Sequence, residues 1–61
     1  MGNNMNTFQY KVVSIDGDYA NLKRLDVDSD EVKLVARALL PQEITEGTKL
    51  LYEMMQYEIM D

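Results

Sequence analysis

Ile15-Asp16-Gly17-Asp18-Tyr19-Ala20 interrupts an apolar run with a glycine held between two acids, and the reading of that break decides the fold. Before it, Phe8, Tyr10, Val12, Val13 and Ile15 are aromatic or β-branched, the composition of a strand beginning at Thr7. After it, from Tyr19 to Leu25, Ala20 and Leu22 occupy one parity while Asn21 and Lys23 occupy the other. A two-residue loop at Gly17-Asp18 pairs Ile15 with Ala20 and Val13 with Leu22 on one face, and a loop at Asp16-Gly17 preserves that parity. Glycine accepts positive φ without penalty, so a hairpin turn explains the stretch. The competing reading makes Asp16 and Asp18 a carboxylate pair for acid–base chemistry. Such a pair needs a pocket that separates its pKa values, and a chain of 61 residues must fill its interior to fold.

The same patterning continues downstream. Asp26 to Glu31 is polar punctuation, and Val32, Leu34 and Ala36 then alternate with Lys33, Val35 and Arg37 as a third strand. Ala38 to Leu40 is apolar, too short for a helix and stopped by Pro41, which predicts a single helical turn plugging one end of a barrel. In the loop from Gln42 to Thr48, Ile44 is the anchor and Gly47 the corner. Residues 49 to 61 admit two readings. Leu50 and Tyr52 share a strand parity, as do Tyr57 and Ile59 on a returning strand, yet Leu50, Leu51, Met54, Met55 and Glu58 also fit helical spacing.

Composition narrows the function classes. The net charge of -5, from 11 acids and 6 bases, argues against nucleic acid and anionic membranes, because phosphate binding needs a positive footprint. With no cysteine and no histidine, the usual nucleophile–base pairs and a structural zinc site are excluded, and no glycine-rich phosphate loop is present. No apolar run approaches the roughly 20 residues of a membrane span, and residues 1 to 6 lack the order of a signal peptide, so a cytoplasmic location is expected. Those first six residues are expected to be disordered, leaving a single domain over 7–61.

Asp26-Val27-Asp28-Ser29-Asp30-Glu31 resembles the opening of a calcium loop, with carboxylates at positions one, three and five. Position six should be glycine and is Glu31; position twelve should be glutamate and is Arg37. A solvated acidic loop is the expectation, with no metal and no cofactor.

Four stretches in order, "IDGDYANL", "KLVARALLP", "EGTKLLYE" and "YEIMD", resemble a bacterial family of small domains known as domain of unknown function 3006 (DUF3006). The match runs from Val12 to Asp61 and rests on turn and core signals. Two departures stand out: the acidic segment 26–31 is longer than the expected short turn, and Met54-Met55-Gln56 lacks the usual glycine. The resemblance implies an all-β fold, a five-stranded antiparallel barrel of SH3-like or OB-like shape with one helical turn. It tips the tail toward a hairpin, with strands Lys49 to Met54 and Tyr57 to Met60 around a turn at Met55-Gln56. It implies no activity.

On that fold Leu50, Tyr52, Tyr57 and Ile59 face inward and Leu51 and Glu53 outward. Leu51, Met55 and Met60 then form an apolar strip beside Glu53 and Glu58, and methionine adapts to irregular partner surfaces. The expected function is a non-enzymatic accessory or protein-interaction module, its partner another protein or a second copy in a weak homodimer. The alternative is a nucleic-acid-binding barrel that recruits Tyr10, Tyr19, Lys11, Lys23, Arg24 and Lys33.

Overall fold

The computed structural model describes residues 7–60. The disorder expected for residues 1–6 falls outside them, as does residue 61. Five strands follow in chain order: β1 (Phe8–Asp16), β2 (Tyr19–Arg24), β3 (Val32–Ala36), β4 (Lys49–Glu53) and β5 (Gln56–Ile59). One 3-10 turn covers Arg37–Leu39, a residue earlier than the sequence suggested. All ladders are antiparallel and form one sheet in the order β3-β2-β1-β4-β5. Among the described residues β3 and β5 are its two edges, and no ladder joins them.

The opening hairpin is as the glycine requires. Asp16 faces Tyr19 across Gly17 and Asp18, and Gly17 has φ +61°. A Cβ placed on Gly17 meets nothing within 4 Å, so any cost of substitution is conformational. Gly17→Val is therefore expected to destabilise the domain by about 1–2 kcal/mol, the penalty of left-handed backbone, and a thermal melt reads this directly. An unchanged melting curve would mean that residue 17 does not hold this conformation in solution.

The pairing of Val13 with Leu22 is corrected. Leu22 faces Val12, Asn21 faces Ser14, and Val13 is the extra residue of a β-bulge, 44% exposed. The bulge has a clear use. Without it, alternation would send Tyr10 and Val12 to one face and Ile15 to the other; with it, all three serve the same face. Across the bulge the Asn21 amide donates to the Ser14 hydroxyl at 2.9 Å, holding the shifted register on the outer side.

The tail is a hairpin, not a helix, but its turn lies one residue earlier than expected. Glu53 faces Gln56, and the loop is Met54-Met55, with φ +54° and +63°. Two positive φ values in a two-residue loop are the signature of a type I′ turn, normally built from Asn and Gly. The strands accordingly end at Glu53 and begin at Gln56.

The inner face carries the core. Tyr10, Val12, Ala20, Leu22, Val35 and Leu50 are buried there, and Leu40 and Ile44 close it from the 3-10 turn and the following loop. The expected anchoring by Ile44 is thus seen. Phe8, Ile15, Tyr52 and Tyr57 pack against this cluster while half-buried. Leu50 faces inward as read from the sequence; Ile59, opposite it on the edge strand, stays 41% exposed, with no strand among the described residues paired to β5 beyond it.

β3 presents the less expected face. Lys33 and Val35 face Leu22 and Ala20 and so lie on the inner side. That sends the more apolar parity, Val32, Leu34 and Ala36, to the outer side of an edge strand, and Leu34 is 62% exposed.

Candidate interaction site

The inner surface beyond the core is an aromatic floor with two cations on it. It arises from register alone: Phe8 faces Tyr52, Tyr10 faces Leu50 and Tyr52 faces Tyr57, so rings from β1, β4 and β5 line up across three strands. Ring centroids lie 4.7 Å apart for Tyr52 and Tyr57, 5.9 Å for Tyr10 and Tyr57, and 6.2 Å for Phe8 and Tyr52, all tilted, the geometry aromatic pairs prefer.

Lys33 reaches this floor from β3. Its ammonium lies 5.5 Å from the Tyr10 ring centroid, 5.7 Å from that of Tyr52 and 5.9 Å from that of Tyr57. The Tyr57 side chain beside it holds its pKa above the usual lysine value; burial, the next largest effect, opposes this, and the fields of Tyr57, Tyr10 and Tyr52 add smaller raising contributions. On the other flank, the Arg24 guanidinium sits 4.6 Å over Phe8 and also grips Asp26 through two bonds, Nε to Oδ1 at 2.6 Å and Nη2 to Oδ2 at 3.0 Å. The bond to Asp26 raises the Arg24 pKa, and the same bond lowers that of Asp26. A paired Arg24 is largely neutralised as a phosphate ligand; Lys33 is the cation on the floor without a carboxylate within ion-pair distance among the described residues.

The floor opens between the two sheet edges. Lys33 from β3 touches the same space as Tyr57 from β5, so the sheet curls far enough to bring its edges to the two sides of a groove of about 360 Å³. Lys33, Leu34, Leu39, Tyr52, Met55 and Tyr57 are among the residues that line it. Its apolar lining is open: Leu39 is 68% exposed and Met55 86%, with Met54 beside it at 78%.

The residues singled out from the sequence are dispersed by the fold. Met55 is at the hairpin tip and reaches the groove, whereas Leu51 faces Glu58 and Gln9 on the outer side and is half-buried. Met60 is half-buried and donates its N–H to the Lys49 carbonyl, extending the outer ladder. A continuous strip of the three is not formed. Tyr10, Arg24 and Lys33 do come together, while Tyr19 and Lys23 belong to the hairpin side and Lys11 is exposed beyond the core.

Leu34, Leu39 and the Lys33–tyrosine contact were missed. The sequence carried one usable signal for them: Val35 is the apolar residue of the charged parity, so burying Val35 forces Leu34 out.

The acidic segment is likewise pulled apart, Asp26 to Arg24 and Asp30 to Lys23 at 3.6 Å. Among the described residues no group of three or more acidic side chains is arranged to hold a metal ion. Asp16 and Asp18 are exposed on either side of the turn.

No family model matches the chain, and no curated protein or solved structure matches it. Among the described residues no helix is long and apolar enough to cross a membrane.

Proposed function

We propose that this chain is a non-enzymatic interaction module that acts through protein contacts made at the groove between β3 and β5. One observation carries the reading: Leu34, Leu39 and Met55 stand exposed around a single open groove on a domain of this size. Apolar side chains gathered in one patch and rimmed by polar groups mark surfaces that are covered in use. The rings beneath supply the anchoring area that protein contacts favour, and Lys33 supplies one fixed charge. The order of turns and strands supports grouping the chain with DUF3006, and the curl of the sheet supports a small SH3-like or OB-like barrel as its idealised shape. Cytoplasmic residence completes the proposal.

The test uses Leu39→Ser together with Met55→Ser, two of the most exposed side chains in the structure. Their substitution is expected to change stability by no more than about 0.5 kcal/mol each. Partners captured from the native host by the unmodified chain should be lost by the variant while its circular dichroism stays unchanged. Identical capture by both proteins would remove the groove from consideration.

A second reading, a nucleic-acid-binding barrel, is favoured by Lys33 and Arg24 resting on aromatic rings, since bases stack on such platforms. It works against the net charge of -5 and the capture of Arg24 by Asp26. A labelled oligonucleotide that binds, and weakens steeply with salt, would move the assignment to this class.

A further inference from the structure

The outer edge of β3 has the properties of a self-pairing strand, and we propose that two copies of the chain associate by antiparallel pairing of β3 with β3 about a two-fold axis at Leu34. This rests on the reading that the chain works through protein contacts, and names a second copy as one of its partners.

The backbone sets the register. The Arg37 N–H donates to the Asp18 carbonyl at 2.8 Å, and the same ladder places Val35 opposite Ala20 and Lys33 opposite Leu22. In an antiparallel ladder the bonded residues alternate, so Lys33 and Val35 spend their backbone groups on β2. Val32, Leu34 and Ala36 therefore direct their N–H and C=O groups out of the sheet edge. A two-fold at Leu34 sets Leu34 against Leu34 of the other copy and Val32 against its Ala36. Every outward group is matched, with two bonds for each of the three facing pairs. Moving the axis by one residue keeps the bonding parity but leaves Ala36 or Val32 facing a residue beyond the strand, so only the axis at Leu34 pairs all three outward residues within β3.

The side chains agree with that register. On the outer side, the facing pairs are Leu34 with Leu34 and Val32 with Ala36, so the exposed Leu34 and Val32 cover one another and the half-buried Ala36. At both ends Glu31 of one copy meets Arg37 of the other. Both residues are exposed, and neither has an ion-pair partner among the described residues. The charges are thus self-complementary, as an isologous contact requires. Lys33, a residue that commonly guards an edge, is drawn inward over the tyrosine rings and away from the seam. β3 contains no proline and no bulge to blunt it. The opposite edge differs: β5 spans four residues with Glu58 among them and Glu53 on the adjacent strand, so pairing copies there brings carboxylates together.

An edge of five residues makes a small interface, below about 1,200 Å², and such contacts are weak. Sedimentation of the full chain from about 10 µM to about 1 mM, the range suited to an interface of that class, should show a monomer–dimer equilibrium. Leu34→Pro removes an N–H that points out of the sheet, which an edge strand tolerates, and should weaken the dimer at least tenfold, a shift of about 1.4 kcal/mol. Glu31→Arg should weaken it too, by setting like charges opposite each other, and adding Arg37→Glu should restore it. That charge exchange keeps the test decisive even if the proline variant fails to fold. The proposal is overturned by a chain that stays monomeric throughout, by assembly beyond the dimer, or by a dimer indifferent to Leu34→Pro and to Glu31→Arg. A monomeric chain that still loses its partners on Leu39→Ser with Met55→Ser would leave the interaction reading standing without the dimer.

Discussion

Leu50→Ala is expected to leave much of the chain unfolded at 25 °C. Leu50 is fully buried on β4, between Tyr10 on one side and Ile59 on the other, and it joins the C-terminal hairpin to the rest of the core. Truncating a buried leucine costs about 2–5 kcal/mol, through lost transfer energy and the cavity left behind. A single core in a chain of this length supplies roughly 3–5 kcal/mol in total, with no disulfide to add to it. The two quantities are of the same size, so the loss is expected to show as a collapsed melting transition rather than a modest shift. Leu39→Ala is the matching control: the same chemical change at a side chain that faces solvent should alter stability by less than about 0.5 kcal/mol. Comparable losses at the two positions would mean that the burial pattern described here is wrong.

The second large effect runs the other way. Met54→Asn with Met55→Gly should raise stability by about 1–3 kcal/mol, because each methionine occupies left-handed backbone that costs an ordinary residue roughly 1–2 kcal/mol. For a domain of this size that is a rise of the melting temperature by about 4–8 °C for each kcal/mol. Neither side chain repays its conformation by burial, since both stand in solvent. Strain kept without a stabilising return is commonly found where a surface is used. The same double variant therefore also reports on use: a gain in stability together with a loss of partner capture would place the methionine pair in the contact. A melting temperature that falls would show that the turn does not hold these two φ values.

The sequence made the first three strands and the β1–β2 turn legible, because each depended on local chemistry. Residues 49–61 fitted helix and hairpin alike, and only the resemblance tipped them toward two more strands. Gly17 between two acids can do little else than turn, and Pro41 can do little else than stop the preceding segment. The errors came where two apolar parities meet. Val12 and Val13 are adjacent and chemically alike, and only a bulge, fixed by pairing with Leu22 and Asn21, decides which of them is buried. At the tail, the turn fell on Met54-Met55 against local preference because register with β1 and the tyrosine contacts fix Leu50 and Tyr52 inward. The groove was legible in part. Met55 was visible as an apolar excess, but Leu34 became exposed only through the choice of face on β3, and Leu39 lies on the 3-10 turn, none of whose residues is buried. The meeting of β3 with β5 belongs to the curl of the whole sheet, and no local pattern encodes it.

The tyrosine floor also equips the chain with an optical reporter. There is no tryptophan, so its ultraviolet emission belongs to four tyrosines, and three of them share one junction where β1, β4 and β5 meet beneath Lys33. Tyr19, the fourth, stands apart, half-exposed beside the first turn. Light emitted by the clustered rings is sensitive to the docking of the C-terminal hairpin and to anything that enters the groove above them, whereas Tyr19 answers to the first hairpin. In a Tyr19→Phe variant only the clustered rings remain to emit, so the docking of the C-terminal hairpin can be followed without attaching a dye.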